Sequence, residues 1–137
     1  MPKGFTLLDS ALGVPLHSRN LFEVVGVRFG FEPYRQLQIE LLASGWRGEI
    51  TFDYPVSFRA HDEGEIIAYW TARAAEDVGV GTCFRIAKSD YLSELSQGVS
   101  GLHEELTHYL VAGLDLCVEV LSTSPPTAHW KLIDKVD

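Results

Sequence analysis

Side chains able to do chemistry concentrate in three short runs of this 137-residue chain. The most suggestive is His108–Ser122, HYLVAGLDLCVEVLS, which holds an imidazole, a thiol and two carboxylates: His108, Cys117, Asp115 and Glu119. A thiol beside an imidazole can ionise and become a nucleophile. Whether the two meet depends on a hairpin register. A two- or four-residue loop places even positions of the first strand on the face of odd positions of the second, so His108 lies near Cys117 or Glu119. A three-residue loop brings Tyr109 there instead. Against a thiol enzyme, a cysteine in mid-strand is ordinarily inert filling, and catalytic groups favour loops and strand ends. No glycine-rich turn follows Cys117 to supply an oxyanion hole.

The second run, His103–His108 (HEELTH), falls one residue outside the HExxH metalloprotease spacing. On a helix, positions i and i+5 lie about 140° apart, so the two imidazoles cannot share a metal. The third is His61-Asp62-Glu63, with Glu65 close behind. Adjacent side chains at a helix start point in different directions, and acids there serve the cap and the helix dipole before they serve a metal. No CxxC or CxxH pair exists, so a structural zinc site is not expected. There is also no GxGxxG, no P-loop and no basic stripe with stacking aromatics, which leaves nucleotide and nucleic-acid binding without support. Trp46, Tyr54, Tyr69, Trp70 and Trp130 could line a ligand pocket, but core packing is the ordinary role of such residues. No cofactor is expected.

The elements that must position these groups follow from period and turn chemistry. In the C-terminal run Leu114, Leu116, Val118 and Val120 alternate with Asp115, Cys117 and Glu119, which predicts a strand with one buried face. Ala112-Gly113 supplies the turn to a preceding strand, Thr107–Val111. Leu21–Phe31 reads as a strand with a bulge or close approach near Gly26 and Gly30. Alternation predicts further strands at Gln36–Ala43, Glu49–Tyr54 and Val56–His61, broken at Pro55. Asp62–Val78 changes to helical spacing, capped by Asp62 and ended by Gly79 and Gly81. Thr82–Ala87 is a short strand. Ser89 is the N-cap of a short helix reaching Leu95, and Thr127–Asp137 adds an edge strand. Residues 1–20 read as irregular. The sum is an α+β fold: one antiparallel sheet of five to seven strands, packed by one longer and one short helix, as a single domain over 1–137.

Composition narrows the partners. Lys plus Arg is 11 against 19 Asp plus Glu, a formal charge of −8. That repels phosphate backbones and anionic membranes; it suits a basic partner, although solubility alone is the more ordinary reason for such a charge. No 18-residue apolar run and no secretory leader are present, so the expected setting is the cytoplasm, with Cys83 and Cys117 as buried free thiols.

Three runs taken together, FRAHDEGEIIAYW (Phe58–Trp70), SDYLSEL (Ser89–Leu95) and His108–Ser122, resemble small acidic cytoplasmic bacterial immunity proteins and accessory partners of toxin systems. The likeness lies in the C-terminal half and carries no residue roles. It implies a non-enzymatic protein-binding module that neutralises a basic toxin. The expected contacts are Asp62, Glu63, Glu65, Asp115 and Glu119. The alternative is a small ligand-binding domain or thiol enzyme using His108 and Cys117, and a homodimer formed through an unpaired sheet edge is a third reading.

Overall fold

The computed structural model describes residues 2–15, 22–43, 45–62, 64, 67–98 and 106–133. Its elements in chain order are β1 (Lys3–Leu7), β2 (Glu23–Gly30), β3 (Gln36–Ala43), β4 (Trp46–Asp53), β5 (Ser57–Asp62), α1 (Ile67–Ala75), β6 (Cys83–Lys88), α2 (Asp90–Gly98), β7 (Thr107–Ala112), β8 (Leu116–Ser122) and β9 (Thr127–Leu132). The strands form two antiparallel sheets: five strands in the order β1-β6-β7-β8-β5 and four in the order β2-β3-β4-β9. The expected single sheet is therefore wrong, and the protein is mostly β with two short helices. The chain leaves one sheet for the other at Tyr54-Pro55-Val56, where Tyr54 takes a positive φ of 52° and Pro55 has no N–H for a ladder.

The two sheets pack face to face. Leu37, Ile39, Leu41, Ile50 and Phe52 of the smaller sheet meet Cys83, Tyr109, Val111, Val118 and Val120 of the larger one. The opposite face of the larger sheet carries Phe84, Ile86, Leu110, Ala112 and Cys117 under Tyr69, Trp70 and Ala72 of α1, while Leu121 packs with Tyr91, Leu92 and Leu95 of α2. The result is three layers: helices, five-stranded sheet, four-stranded sheet. β7 and β8 lie in the middle layer, so both of their faces are buried. Alternation along β8 is real, but it separates a mainly apolar face from a mixed one, and does not separate core from solvent.

Local chemistry explains the boundaries that differ from expectation. Asp62 ends β5, opposite Leu116, and its Oδ1 accepts the N–H of Gly64 at 2.9 Å; α1 begins only at Ile67. Residues 3–7 form an edge strand rather than an irregular segment. Gly4, at φ 74°, and Phe5 donate their N–H groups to the Glu76 carboxylate just beyond α1, at 2.9 and 2.8 Å. That contact ties β1 to the helix layer from 71 residues away. The bulge expected near Gly26 is present, as a register shift between Val24 and Gly26.

Candidate functional site

β7 and β8 pair Ala112 with Cys117 and Leu110 with Glu119, which leaves four residues, Gly113–Leu116, between the last paired positions. Even positions of β7 therefore share a face with odd positions of β8. β5 pairs on the other side of β8, Arg59 with Glu119 and His61 with Cys117. Arg59, His61, His108 and Glu119 consequently stand together on the helix-covered face, where the apolar packing under α1 and that under α2 leave a polar gap.

Glu119 sits at the centre of this gap and is fully buried. Its Oε1 lies 2.8 Å from His108 Nε2; its Oε2 lies 2.6 Å from Arg59 Nε and 2.6 Å from His61 Nε2. The Tyr69 hydroxyl of α1 bonds the same carboxylate. Burial would raise the carboxyl pKa, but the bonds from His108, Arg59 and Tyr69 outweigh it and hold it down at about 2. An ionised carboxylate only accepts, so each imidazole nitrogen facing it carries the hydrogen. In the neutral ring Nδ1 is then the acceptor, and it lies 2.6 Å from Ser89 Oγ, which donates to it. Ser89 Oγ in turn accepts the N–H of Leu92 at 3.1 Å, the N-cap bond of α2. One directed chain of bonds thus runs from α2 through Ser89 and His108 to Glu119.

The surround is aromatic. Tyr69 and Tyr91 stand edge-on to the His108 ring, at 6.0 and 5.4 Å between centroids. The Arg59 guanidinium lies 3.9 Å over the Tyr91 ring, whose hydroxyl pairs with Ser57 Oγ at 2.6 Å. Burial opposes the Arg59 charge, but its bond and attraction to Glu119 prevail and raise its pKa. Burial first, then Glu119, keep the Tyr69 hydroxyl protonated by raising its pKa. Arg59 and His61 reach the surface, with side chains 41% and 21% exposed; His108 and Glu119 have none.

The sequence-derived candidates separate into three sets. His108 and Glu119 do meet. Cys117 is buried on the same face, while the two nitrogens of His108 bond Ser89 and Glu119. Asp62 and Asp115 are exposed as a docking surface requires, whereas Glu119 is inside and cannot touch a partner. Glu63, Glu65 and His103 lie outside the described residues. Arg59, His61, Tyr69 and Ser89 join the site without having been singled out for it, although His61 and Ser89 are legible as a polar cluster member and a cap. Among the described residues no group of three or more His, Cys, Asp or Glu is arranged to hold a metal ion. The His–Glu contacts of 2.6 and 2.8 Å are hydrogen-bond lengths. No described helix is long and apolar enough to cross a membrane. No protein-family model, curated protein or solved structure matches the chain.

Proposed function

We propose that this chain is a protein-binding module for a basic partner and, more narrowly, an immunity-type protein that occludes a basic toxin in the cytoplasm. The observation that carries the reading is a shelf of aromatic rings at one end of the four-stranded sheet. Phe31 is 66% exposed, Tyr54 56%, Phe29 40% and Tyr34 36%. Phe29 and Phe31 meet edge-on at 5.2 Å, Phe29 rests on Phe58 at 5.1 Å, and Tyr34 stacks on Tyr54 at 5.5 Å. The Arg35 guanidinium lies 6.0 Å from the Tyr54 ring. Phe, Tyr and Arg are the residues that concentrate binding energy at protein interfaces, and contiguous exposed rings are uncommon on a surface that stays wet.

Charge supports the choice of partner. Glu32 and Asp53 stand beside the shelf, and the chain as a whole carries −8, which steers a cationic protein toward it. Asp62 and Asp115 add two exposed acids at the other end of β5 and in the adjoining β7–β8 loop. Both nitrogens of His108 are engaged by Ser89 and Glu119, which weighs against a thiol enzyme built on His108 and Cys117.

The test immobilises the wild type and a Phe31→Ser/Tyr54→Ser variant side by side and challenges both with host lysate. The expected result is one basic protein held one-to-one by the wild type, released by salt, and not held by a variant of unchanged circular dichroism. Equal retention by both would move docking away from the shelf. No retention by the wild type at low salt would refute the reading, and light scattering would then test for the homodimer.

A further inference from the structure

We infer that Ser89, His108 and Glu119 form a serine-type acyl-transfer site for small uncharged carboxylic esters, with Ser89 Oγ as the nucleophile. The inference does not rest on the protein-binding reading. His108 does face a nucleophile, but it is the hydroxyl of Ser89 and not the thiol of Cys117. The 2.6 Å bond from Ser89 Oγ to Nδ1 and the 2.8 Å bond from Nε2 to Glu119 make a continuous nucleophile–base–carboxylate relay. Here Nδ1 takes the serine and Nε2 the carboxylate. The imidazole serves either way round, because the nitrogen not facing the carboxylate is the basic one.

Topology adds a second argument. Ser89 stands alone between the end of β6 at Lys88 and the start of α2 at Asp90, the strand-to-helix turn on which a nucleophile is presented in many acyl-transfer enzymes. The helix uses the Leu92 N–H on Ser89 Oγ and the Ser93 N–H on the Ser89 carbonyl, at 3.1 and 3.0 Å. The first N–H groups of a helix have no acceptor within it, so those of Asp90 and Tyr91, next in sequence to the serine, are the donors the proposal assigns to the oxyanion.

The chemistry balances. Oγ bonds the ester carbonyl carbon while its proton passes to Nδ1, and the carbonyl electron pair becomes the oxyanion. Collapse breaks the bond to the leaving alkoxide, which takes the proton from Nδ1. Water then repeats both steps on the acyl-serine. Glu119 positions the ring and stabilises its transient charge, touching no substrate. Ser89 is only 8% exposed and His108 is sealed, so the acyl group must be slim. Asp90 and the overall negative charge exclude anionic esters.

The probe is methanesulfonyl fluoride, slim enough for so narrow a site, on the whole wild-type chain, read by intact mass and fragmentation. The expected result is one methanesulfonyl adduct per chain, on Ser89 with loss of fluoride, formed by the native protein and not by the urea-unfolded one. Absence of an adduct, an adduct elsewhere, or equal labelling in urea would overturn the proposal and leave Ser89 as a helix cap. Glu119→Gln should slow native labelling by at least about tenfold and move its pH profile; a wild-type rate and profile in the folded variant would remove Glu119 from the site.

Discussion

Replacing Glu119 by Gln isolates the charge at the centre of the network while keeping its shape. The carboxyl pKa is held at about 2, against 4.5 for an unperturbed group. At about 1.4 kcal/mol per pH unit, that displacement is worth about 3 kcal/mol of native-state stability at neutral pH. The folded pKa is depressed, so the contribution is fully present above pH 4.5 and fades as pH falls toward 2. The amide also offers two hydrogens where four donors converge, from Arg59, His61, Tyr69 and His108. His108 can adjust by moving its proton to Nδ1 and donating to Ser89 Oγ, but Arg59 and His61 must then share one neutral oxygen. Urea denaturation of wild type and variant should therefore differ by about 3 kcal/mol at pH 7, and the difference should shrink steadily between pH 4.5 and 2.5. Taking the difference between two chains that share every other titrating group cancels most of their acid response. A gap below about 1 kcal/mol at pH 7, or one that stays constant with pH, would show that the carboxylate is not held as the geometry says.

Three further outcomes follow from particular contacts. Ser89→Ala removes the cap of α2 and leaves His108 Nδ1 without its donor, at a cost of about 2 kcal/mol in urea denaturation; a cost near zero would mean that α2 is not fixed by this serine. Gly48→Ala would drive a methyl group into the Trp130 ring on the neighbouring strand, so the variant should lose about 1–3 kcal/mol and change its tryptophan emission. Cys83 and Cys117 are both fully buried and burial pushes the Cys83 thiol pKa up, so native protein should resist iodoacetamide and both thiols should react in urea; rapid native alkylation of either would contradict their placement.

The strands were legible where one face of the chain is apolar and the other wet. Gln36–Ala43 is the clearest: Leu37, Ile39 and Leu41 enter the core and Gln36, Gln38 and Glu40 face away, so the observed span equals the expected one. The same rule misleads at β8. Alternation there shows that two faces differ in polarity, and no residue of β8 records that helices will cover the face bearing Cys117 and Glu119. The partition into two sheets is equally silent, since Pro55 marks a break in a ladder but not the sheet to which the chain goes next. β1 was missed because its N–H partner, Glu76, arrives from beyond α1. The site has the same character. Ser89 is legible as a cap and His108 as a chemically able side chain, but Ser89 and His108 are 19 residues apart and Arg59 and Glu119 60, so no local spacing announces them.

The two proposals can fail separately, because strand alternation on β5 keeps them apart. Phe58 points into the space between the sheets and supports Phe29 of the shelf, while Arg59, the next residue, points the opposite way and bonds Glu119. A whole sheet therefore lies between the aromatic shelf and the Ser89–His108–Glu119 relay. Phe31 and Tyr54 are more than half exposed and take no part in the relay, so Phe31→Ser/Tyr54→Ser should leave both urea stability and Ser89 labelling within error of wild type. Ser89→Ala, folded at a temperature well below its midpoint, should in turn bind the basic partner as wild type does. If the shelf variant loses labelling, or the serine variant loses the partner, the two surfaces are coupled through β5, and the protein-binding and acyl-transfer readings would have to be merged into one.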